Sequence, residues 1–599
     1  MTGIIGIDLG TTNCAVAQYV RAEDIKPDDH KDSASSVRTI SIPQLTSPGT
    51  IENRPLLPSF LYLPQASEFP EGTLGVPWDN SNTVITGVFA RAHGVKVPTR
   101  LVASAKSWLS YSGADRSSKI LPWGAPPDVQ KVSPVEASTQ YLKHIAGALR
   151  HANCDYSDVI LTVPASFDAA ARELTMKAAE AANLKNVTLV EEPQAALYAW
   201  LEKAGDHFRN QVELGDVILV VDVGGGTTDL SLIRVTEENG DLQLTRIAVG
   251  DHILLGGDNM DLALAHNLAR DRKLDSSQFA SLTYACRQAK ELLFADAKLQ
   301  KAPISVASRG STLVGGTLKF ELMRDELTRI LVDGFMPRGP ITELPQTVRR
   351  TGLTQVALPY AQDPAITRHI AGFLTRQARV AEGRSFVHPT AILFNGGVFR
   401  AEVLKSRVIE VVNEWLASDG GAALKELEGA DLDLAVARGA AYYGWVRQGH
   451  GIRIRGGTAR AYYVGVEAAM PAVPGFEPPV RAVCVAPFGM EEGTQADIPP
   501  QEFALVVGEP TVFRFFASSV RRDDRAGDVL EDAARSDELE EVAPIETSLQ
   551  GETGQLVPVN LQAAVTEVGT LQLRCLQKGG TGRWKLELNV RKDHRTDAA

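Results

Sequence analysis

The sequence has few cysteines, no long apolar run and no surplus of basic residues. The longest candidate for a membrane span, residues 217–221, stops at Asp222, far short of the roughly 20 apolar residues that cross a bilayer, so we expect no membrane association. A net charge of −12 argues against a nucleic-acid partner, because such proteins need a concentrated Lys/Arg surface.

The five cysteines are unclustered and show neither a C-x-x-C pair nor a histidine spacing suited to zinc. We expect reduced, packed thiols of the kind found in a cytosol. Met1 leads directly into a β-like segment without the basic stretch and cleavage site of a signal peptide, which predicts a cytoplasmic location. The cysteines are Cys14, Cys154, Cys286, Cys484 and Cys575.

Two glycine-rich turns follow matching apolar segments. Residues 3–20 (GIIGIDLGTTNCAVAQYV) and 217–235 (VILVVDVGGGTTDLSLIRV) each predict a β-hairpin with polar residues at its tip. These repeats lie roughly 200 residues apart, which indicates two similar lobes rather than a short-period array.

Helical and strand patterns alternate between and around the hairpins, which is typical of an α/β fold. Ser133 and Glu136 form a capping box with Pro134 in the first turn, so a helix is predicted to about Ala152. We also predict a strand at 158–167, a helix from about residue 168 to 182, and a strand and helix at 188–203.

The character of the chain changes near residue 448, after which helical periodicity is scarce. A chain of 599 residues exceeds the roughly 250 to 300 residues of a single core, so at least two domains are expected. Short alternating runs predict a β-sandwich in the second part; they lie at 461–467, 502–508, 511–517, 570–577 and 584–590. The predicted divisions are a first domain 1–447, a linker 448–460, a β-rich domain 461–592 and a flexible tail 593–599.

The residues of the two turns suit phosphate and magnesium. Glycines allow backbone N–H groups to point at phosphate oxygens, and the threonines that follow add hydroxyl donors. Asp8 and Asp222 each end an apolar strand and can hold the water shell of a Mg²⁺ ion without touching the metal. For either turn alone, a plain glycine hairpin remains the alternative.

Eight segments resemble, in the same order, the seventy-kilodalton heat-shock chaperone family of the DnaK type. This resemblance, which covers about residues 6–445, implies an actin-like ATPase fold of two duplicated lobes followed by a smaller all-β sandwich domain. It implies ATP/ADP and Mg²⁺ as ligands and hydrolysis that controls the binding and release of unfolded polypeptides. A co-chaperone and a nucleotide-exchange factor would be further partners. The segments are GIDLGTTN, VPASFDAAAREL, EEPQAALYAW, VVDVGGGTTDLSL, GGDNMD, ACRQAKELL, FNGGVFR and DLAVARGAA.

The same resemblance implies a set of site residues. The catalytic residues would be Asp8, Lys106, Glu192, Asp222 and Thr227, with Asp8 and Asp222 binding the metal through water. Taken alone, Lys106 would be a solvated helix lysine, and Glu192 before Pro193 could end a strand. The nucleotide would contact Gly10, Thr11, Thr12, Asn13, Gly224, Gly225, Gly226, Thr227, Gly256, Gly257, Lys290, Gly396, Gly397, Arg400 and Asp433.

Several residues depart from the family pattern. Glu291 stands where the family has an arginine that stacks on adenine, and Arg287 stands where it has a glutamate. Asn259 replaces an acidic residue, while Ser166 and Asp168 replace a tyrosine and an asparagine. The family's acidic, leucine-rich linker is replaced by GIRIRGGTAR, and no helical lid is expected after the sandwich.

Two other function classes stay open. One is a small-molecule kinase or phosphohydrolase on the same core, since unrelated activities share a fold. The other is a nucleotide-binding scaffold without turnover.

Overall fold

A computed structural model describes most of the chain. The described residues are 3–20, 37–111, 113–238, 241–307, 317–346, 358, 360–378, 384–429, 431–451, 454–455, 458, 460–467, 479–490, 494–499, 503–518, 521, 523–531, 538–566 and 570–589. The predicted tail at 593–599 lies outside them, as does part of the predicted linker.

Internal contacts divide the chain into two compact units. The first comprises Met1–Phe167, Leu174–Leu244 and Ala248–Ile454, and the second comprises Asp168–Glu173, Thr245–Ile247 and Arg455–Ala599. The main division therefore falls between residues 454 and 455, inside the span that the sequence marks as a linker. The domain bounds drawn from the sequence stay predictions.

The strands up to residue 455 are short and mostly apolar. In chain order they are β1 (Gly3–Leu9), β2 (Asn13–Tyr19), β3 (Val37–Thr39), β4 (Ile42–Ser47), β5 (Thr50–Arg54), β6 (Leu56–Pro58), β7 (Leu61–Tyr62), β8 (Ile85–Thr86), β9 (Leu101–Val102), β10 (Tyr156–Val163), β11 (Val187–Glu191), β12 (Val217–Val223), β13 (Thr228–Glu238), β14 (Asp241–Val249), β15 (Lys301–Ala307), β16 (Thr317–Met323), β17 (Ala391–Asn395), β18 (Lys425–Glu426) and β19 (Ile454–Arg455).

The helices alternate with these strands. They are α1 (Val88–Gly94), α2 (Ala105–Ser110), α3 (Pro134–His151), α4 (Ala169–Ala181), α5 (Glu192–Ala204), α6 (Gly257–Ala269), α7 (Ser276–Ala295), α8 (Arg324–Leu327), α9 (Asp333–Phe335), α10 (Ile366–Arg376), α11 (Glu402–Ser418) and α12 (Ala435–Arg447). Shorter 3-10 turns lie at Pro98–Arg100, Gly205–Asn210 and Gly397–Arg400, and a π-helical turn at Thr328–Val332.

Two six-stranded sheets repeat one plan. In the first, the strand order is β11–β10–β1–β2–β3, with β6 also pairing β2; in the second it is β18–β17–β12–β13–β14–β19. Each sheet has an antiparallel hairpin, β1–β2 or β12–β13, whose first strand pairs in parallel with a strand from later in the chain. The two predicted hairpins and the duplicated α/β plan are confirmed.

Helices α5 and α12 pack against both sheets. Apolar side chains of α5 and α12 share one core with β12, β13 and β17, and another with β1, β2 and β10. The interleaved cores hold the two sheets in one unit, and so hold the tips of the two hairpins relative to each other.

Local signals placed several helices correctly. Helix α3 begins at the predicted capping box: Glu136 N donates to Ser133 Oγ at 3.0 Å, and Ser133 N donates to Glu136 Oε2 at 2.7 Å. The helix predicted at 168–182 and the strand and helix predicted at 188–203 are α4, β11 and α5.

The chain after residue 455 is all β in its described part. Its strands are β20 (Ala461–Glu467), β21 (Val480–Ala486), β22 (Thr494–Asp497), β23 (Phe503–Val507), β24 (Pro510–Ser518), β25 (Val529–Leu530), β26 (Glu540–Ser548), β27 (Gln555–Val565), β28 (Thr570–Gln577) and β29 (Arg583–Asn589).

These strands form the predicted sandwich. One five-stranded sheet has the order β25–β21–β20–β24–β26, and the other has β22–β27–β28–β29, with β23 also pairing β27. Side chains of both sheets share one core, for example Val464 and Phe515 from the first with Val559 and Leu573 from the second. All five predicted runs are strands, and β21, β22, β25, β26 and β27 were not predicted.

No helix among the described residues combines the length and apolarity needed to cross a bilayer. All five cysteines are free, and all but Cys154 are buried, as expected for packed thiols.

Candidate active site

The tips of the two hairpins touch. We call Gly10–Thr12 the first turn and Gly224–Thr227 the second turn. A Cβ atom built on Gly225 would lie 1.7 Å from Thr12 Oγ1, and one built on Gly226 would lie 2.7 Å from Thr11 Cγ2. Only glycine permits this approach, because any larger residue would push the turns apart. Two segments roughly 200 residues apart in sequence therefore form one site.

Two further glycine pairs flank the second turn. Gly257 N donates to Gly224 O at 3.0 Å, and Asp258 N donates to Gly225 O at 2.7 Å, which ties the start of α6 to the turn. Gly396 follows β17 with φ of 87°, and a Cβ there would lie 2.7 Å from Asp222 Oδ1. Gly397 lies near Asp433, at 3.6 Å from a built Cβ to Oδ1.

A buried lysine faces the ends of the strands. Lys106 in α2 has a side chain only 7% exposed and forms an ion pair with Glu192, the first residue of α5. Lys106 is therefore not the solvated helix lysine that its local sequence suggests. On β1, Asp8 accepts a hydrogen bond from Thr162 Oγ1 of β10 at 3.2 Å.

The charges of this site are unevenly balanced. Burial raises the pKa of Glu192 to about 7; the charge of Lys106 opposes the rise, and that of Asp8 adds to it. Burial alone would lower the pKa of Lys106. The negative charges of Glu192 and Asp8 outweigh the effect of burial, so the pKa of Lys106 is raised. Burial also raises the pKa of Asp8, against the charge of Lys106.

Asp222 and Asp229 lie opposite each other in the β12–β13 hairpin. Asn395 Nδ2 donates to Asp222 Oδ2 at 2.7 Å, yet burial and the charge of Glu192 raise the pKa of Asp222 well above its ordinary value. Burial alone would also raise the pKa of Asp229. The hydrogen bonding and charge of His252 and a hydrogen bond from Ser166 outweigh burial, so the pKa of Asp229 is lowered.

An ion-pair network links α6 to α7. Lys290 Nζ lies 2.6 Å from Asp261 Oδ1, and Arg287 Nε lies 2.7 Å from Asp261 Oδ2 while its guanidinium also pairs with Asp258. Arg287 is thus held by two carboxylates, and Glu291 one turn further on is exposed. Elsewhere, Arg400 pairs with Asp433 at 2.8 Å, with its side chain 68% exposed.

The site suits an anion accompanied by a hydrated cation. Thr12 Oγ1 and Asn395 Oδ1 are buried and have no hydrogen-bond partner among the described residues, and buried polar atoms need one. Four acidic side chains act on one another here, and a bound cation would favour their ionised forms; they are Asp8, Glu192, Asp222 and Asp229. The described part of the chain holds no group of three or more His, Cys, Asp or Glu that could ligate a metal directly.

Most of the residues singled out from the sequence surround this point. The structure brings the following together where the two turns touch: the first and second turns, Asp8, Lys106, Glu192, Asp222, Gly256, Gly257, Gly396 and Lys290. Asn13 is the first residue of β2, beside the first turn, whereas the exposed Arg400 is the last residue of the 3-10 turn Gly397–Arg400.

Sequence reasoning missed several residues that hold this site together. Ser59 Oγ donates to Gly10 O at 2.6 Å, and Ser59 N donates to Thr12 O at 2.9 Å, so Ser59 braces the first turn. Neither Ser59 nor Thr162 has a local sequence signal. Asp229 and Asn395 do have a local sequence signal, because each lies beside or within a glycine motif that the sequence analysis singles out.

Comparison with known proteins supports a specific family. The family model "Hsp70 protein" matches residues 77–338. A Chaperone protein HscA homolog of Shewanella sediminis is 27% identical over 399 residues, covering 57% of this chain and 55% of that protein. A Chaperone protein HscA homolog of Bordetella pertussis is 30% identical over 346 residues, covering 55% of this chain and 47% of that protein.

A further relative, Chaperone protein HscA of Serratia proteamaculans, is 31% identical over 273 residues, covering 43% of this chain and 36% of that protein. The chain thus spans about half the length, or less, of these curated relatives. Their similarity agrees with the duplicated α/β plan and with the glycine turns that meet at one point. These comparisons support the resemblance of the chain to the Hsp70 family, the seventy-kilodalton heat-shock proteins, whose model matches residues 77–338.

Proposed function

We propose that this chain is an ATP-dependent molecular chaperone. In this proposal ATP and Mg²⁺ bind where the first and second turns meet, the ATP is hydrolysed, and the nucleotide state controls binding and release of unfolded polypeptide segments. The observation that carries the proposal is the contact of Gly225 with Thr12, because it brings together two glycine turns, each of which follows a strand that carries an aspartate.

The turns would hold the phosphates. Backbone N–H groups of Gly224–Thr227 and Gly10–Thr12 offer donors, and the unpartnered hydroxyl of Thr12 offers another. A bound Mg²⁺ ion would neutralise charge on the phosphate oxygens. Asp8 and Asp222 would accept hydrogen bonds from its water shell, and the nearby cation would favour the ionised forms of these buried carboxylates.

Lys106 and Glu192 would act on the phosphate that is transferred to water. The ammonium group of Lys106, held in place by Glu192, supplies a fixed positive charge in a buried site, where such charge stabilises a transition state strongly. Glu192 would orient the attacking water, and a pKa of about 7 suits a group that accepts a proton near neutral pH.

The second unit would bind polypeptide. An extended segment can add to the end strand of a sheet by backbone hydrogen bonds, and β26 and β29 are end strands of their sheets in the described part. Unfolded polypeptides, a co-chaperone and a nucleotide-exchange factor are the proposed partners. The cytoplasmic location stays a prediction from the sequence.

Steady-state ATP turnover, with and without an unfolded polypeptide, tests this function. We expect slow turnover by the wild type that rises with the polypeptide, and loss of turnover in Asp8→Ala, Lys106→Ala and Thr227→Ala. Brisk turnover that depends on a small molecule such as a sugar, with no response to polypeptide, would instead favour the kinase alternative. Binding of nucleotide without turnover, unchanged in Lys106→Ala, would favour the scaffold.

A further inference from the structure

A serine, a histidine and an aspartate form a hydrogen-bonded cluster beside the candidate active site. Ser166 Oγ lies 2.8 Å from Asp229 Oδ1 and 2.6 Å from His252 Nδ1. His252 Nδ1 lies 3.6 Å from Asp229 Oδ1. Ser166 comes from the loop after β10, Asp229 from β13 and His252 from the loop after β14, so three separate segments meet.

The hydrogen bonds of the cluster have one consistent direction. Ser166 Oγ donates to Asp229 Oδ1, since an ionised carboxylate can only accept hydrogen bonds. Ser166 has one hydroxyl proton, which it donates to Asp229. Its oxygen then accepts a hydrogen bond from His252 Nδ1–H, and the chain of donation runs from His252 through Ser166 to Asp229.

This direction excludes a nucleophilic serine. A serine nucleophile needs its proton directed at a histidine that accepts it, with the aspartate bonded to the other ring nitrogen. Here the serine proton points at the aspartate, and His252 Nε2 is buried with no hydrogen-bond partner among the described residues. The cluster therefore acts on Asp229 rather than on a substrate of its own.

Asp229 belongs to the charge cluster of the site. It is 3% exposed, lies opposite Asp222 across the hairpin, and its charge acts on both Lys106 and Glu192. Within the described part of the chain, its hydrogen bonds are made through Oδ1 alone. Oδ2 is thus the oxygen that would accept hydrogen bonds from a ligand or water.

We propose that Ser166 and His252 are positioning residues for Asp229 in the turnover of nucleotide. Two donors arranged in series fix the rotation of the carboxylate and hold Oδ2 toward the reacting groups. This positioning role rests on the proposed ATP hydrolysis and adds two residues to its site. The family that the chain resembles has a tyrosine at position 166, so the hydroxyl of Ser166 departs from that pattern.

The test separates positioning from mere structural support by comparing kcat with affinity. Ser166→Ala and His252→Leu remove one donor each. Ser166→Thr keeps the hydroxyl, and His252→Asn keeps an N–H donor at the position of Nδ1. Ser231→Ala is the matched control, because Ser231 is a buried serine of the same strand as Asp229, and its hydroxyl has no hydrogen-bond partner in the described part of the chain.

For the two donor deletions we expect kcat for ATP to fall about tenfold or more, with the Kd for Mg²⁺-ADP changed less than about twofold. Ser166→Thr and His252→Asn should recover most of the rate, and Ser231→Ala should retain it. The inference would be overturned if both deletions kept the wild-type kcat. It would also be overturned if kcat, nucleotide affinity and thermal midpoint fell together. Neither result would contradict ATP hydrolysis by the wild type. A wild type that binds ATP without hydrolysing it would overturn both proposals.

Discussion

Gly225 and Thr12 approach so closely that a methyl group on Gly225 would overlap the Thr12 hydroxyl, 1.7 Å from the built Cβ. The two residues lie in turns that join strands of different sheets, so their contact depends on how α5 and α12 pack against both sheets. It is the point at which sequence motifs roughly 200 residues apart become one site.

Gly225→Ala should therefore weaken nucleotide binding by at least about tenfold, because the added methyl forces the turns apart. Binding of Mg²⁺-ADP by isothermal calorimetry measures the effect. Gly224→Ala is the comparison, since a Cβ there meets nothing closer than 3.8 Å and its loss of affinity should be smaller. Equal affinities of the two variants would contradict the steric argument.

Ser59→Ala should loosen the first turn. The variant loses the hydrogen bond to Gly10 O, worth about 1 kcal/mol, and we expect roughly fivefold weaker binding of Mg²⁺-ADP. Ser138→Ala is the control: Ser138 is equally buried, but its hydroxyl bonds to the backbone of its own helix α3. If both serine variants bind nucleotide alike, Ser59 does not brace the site.

Lys106→Met should destabilise the protein as well as abolish turnover. Removing one partner of a buried ion pair leaves an uncompensated charge, which costs about 3 kcal/mol or more. The double variant Lys106→Met/Glu192→Gln removes that charge too and should recover part of the loss without restoring turnover. Thermal unfolding without added nucleotide measures the stability of both variants. A double variant less stable than Lys106→Met would contradict the prediction.

Binding of Mg²⁺-nucleotide should release protons near neutral pH. Burial raises the pKa of Glu192 to about 7, and a nearby cation favours the ionised form. At pH 7, Glu192 should contribute about half a proton, and at pH 8.5 almost none, because it is already ionised there. Calorimetry in buffers of different ionisation enthalpy measures the release, and Glu192→Gln should lack this contribution.

The same raised pKa affects stability, and its sign is opposite to that of an ordinary salt-bridged carboxylate. The folded state binds the Glu192 proton more tightly than the unfolded state does. Its contribution to the free energy of unfolding should therefore fall as pH rises from about 4.5 to about 7 and level off above. A wild type whose thermal midpoint rises over that range relative to Glu192→Gln would contradict this assignment.

Local chemistry made the hairpins and helix α3 predictable. Glycine and threonine at the tips, and the capping box of Ser133 and Glu136, determine conformation within a few residues. The missed strands β26 and β27 contain Pro544 and Pro558, and proline inside an apolar run argues against a strand when only the sequence is known.

The site itself was predictable only where motifs are contiguous. Lys106 looks like a solvated helix lysine, and its burial follows from compensation by Glu192 and Asp8, which are distant in sequence. Ser59 and Thr162 act through single hydrogen bonds to the first turn and to Asp8. Contacts of this kind arise from the packing of the lobes, and neither the periodicity nor the motif spacing of the sequence predicts them.

A crystal structure of the full chain with Mg²⁺ and a non-hydrolysable ATP analogue tests the central claim most directly. The account predicts that the β- and γ-phosphates contact backbone N–H groups of both the first and the second turn, with a hydrated cation between Asp8 and Asp222. A nucleotide bound elsewhere, or phosphates that touch only one of the two turns, would contradict it.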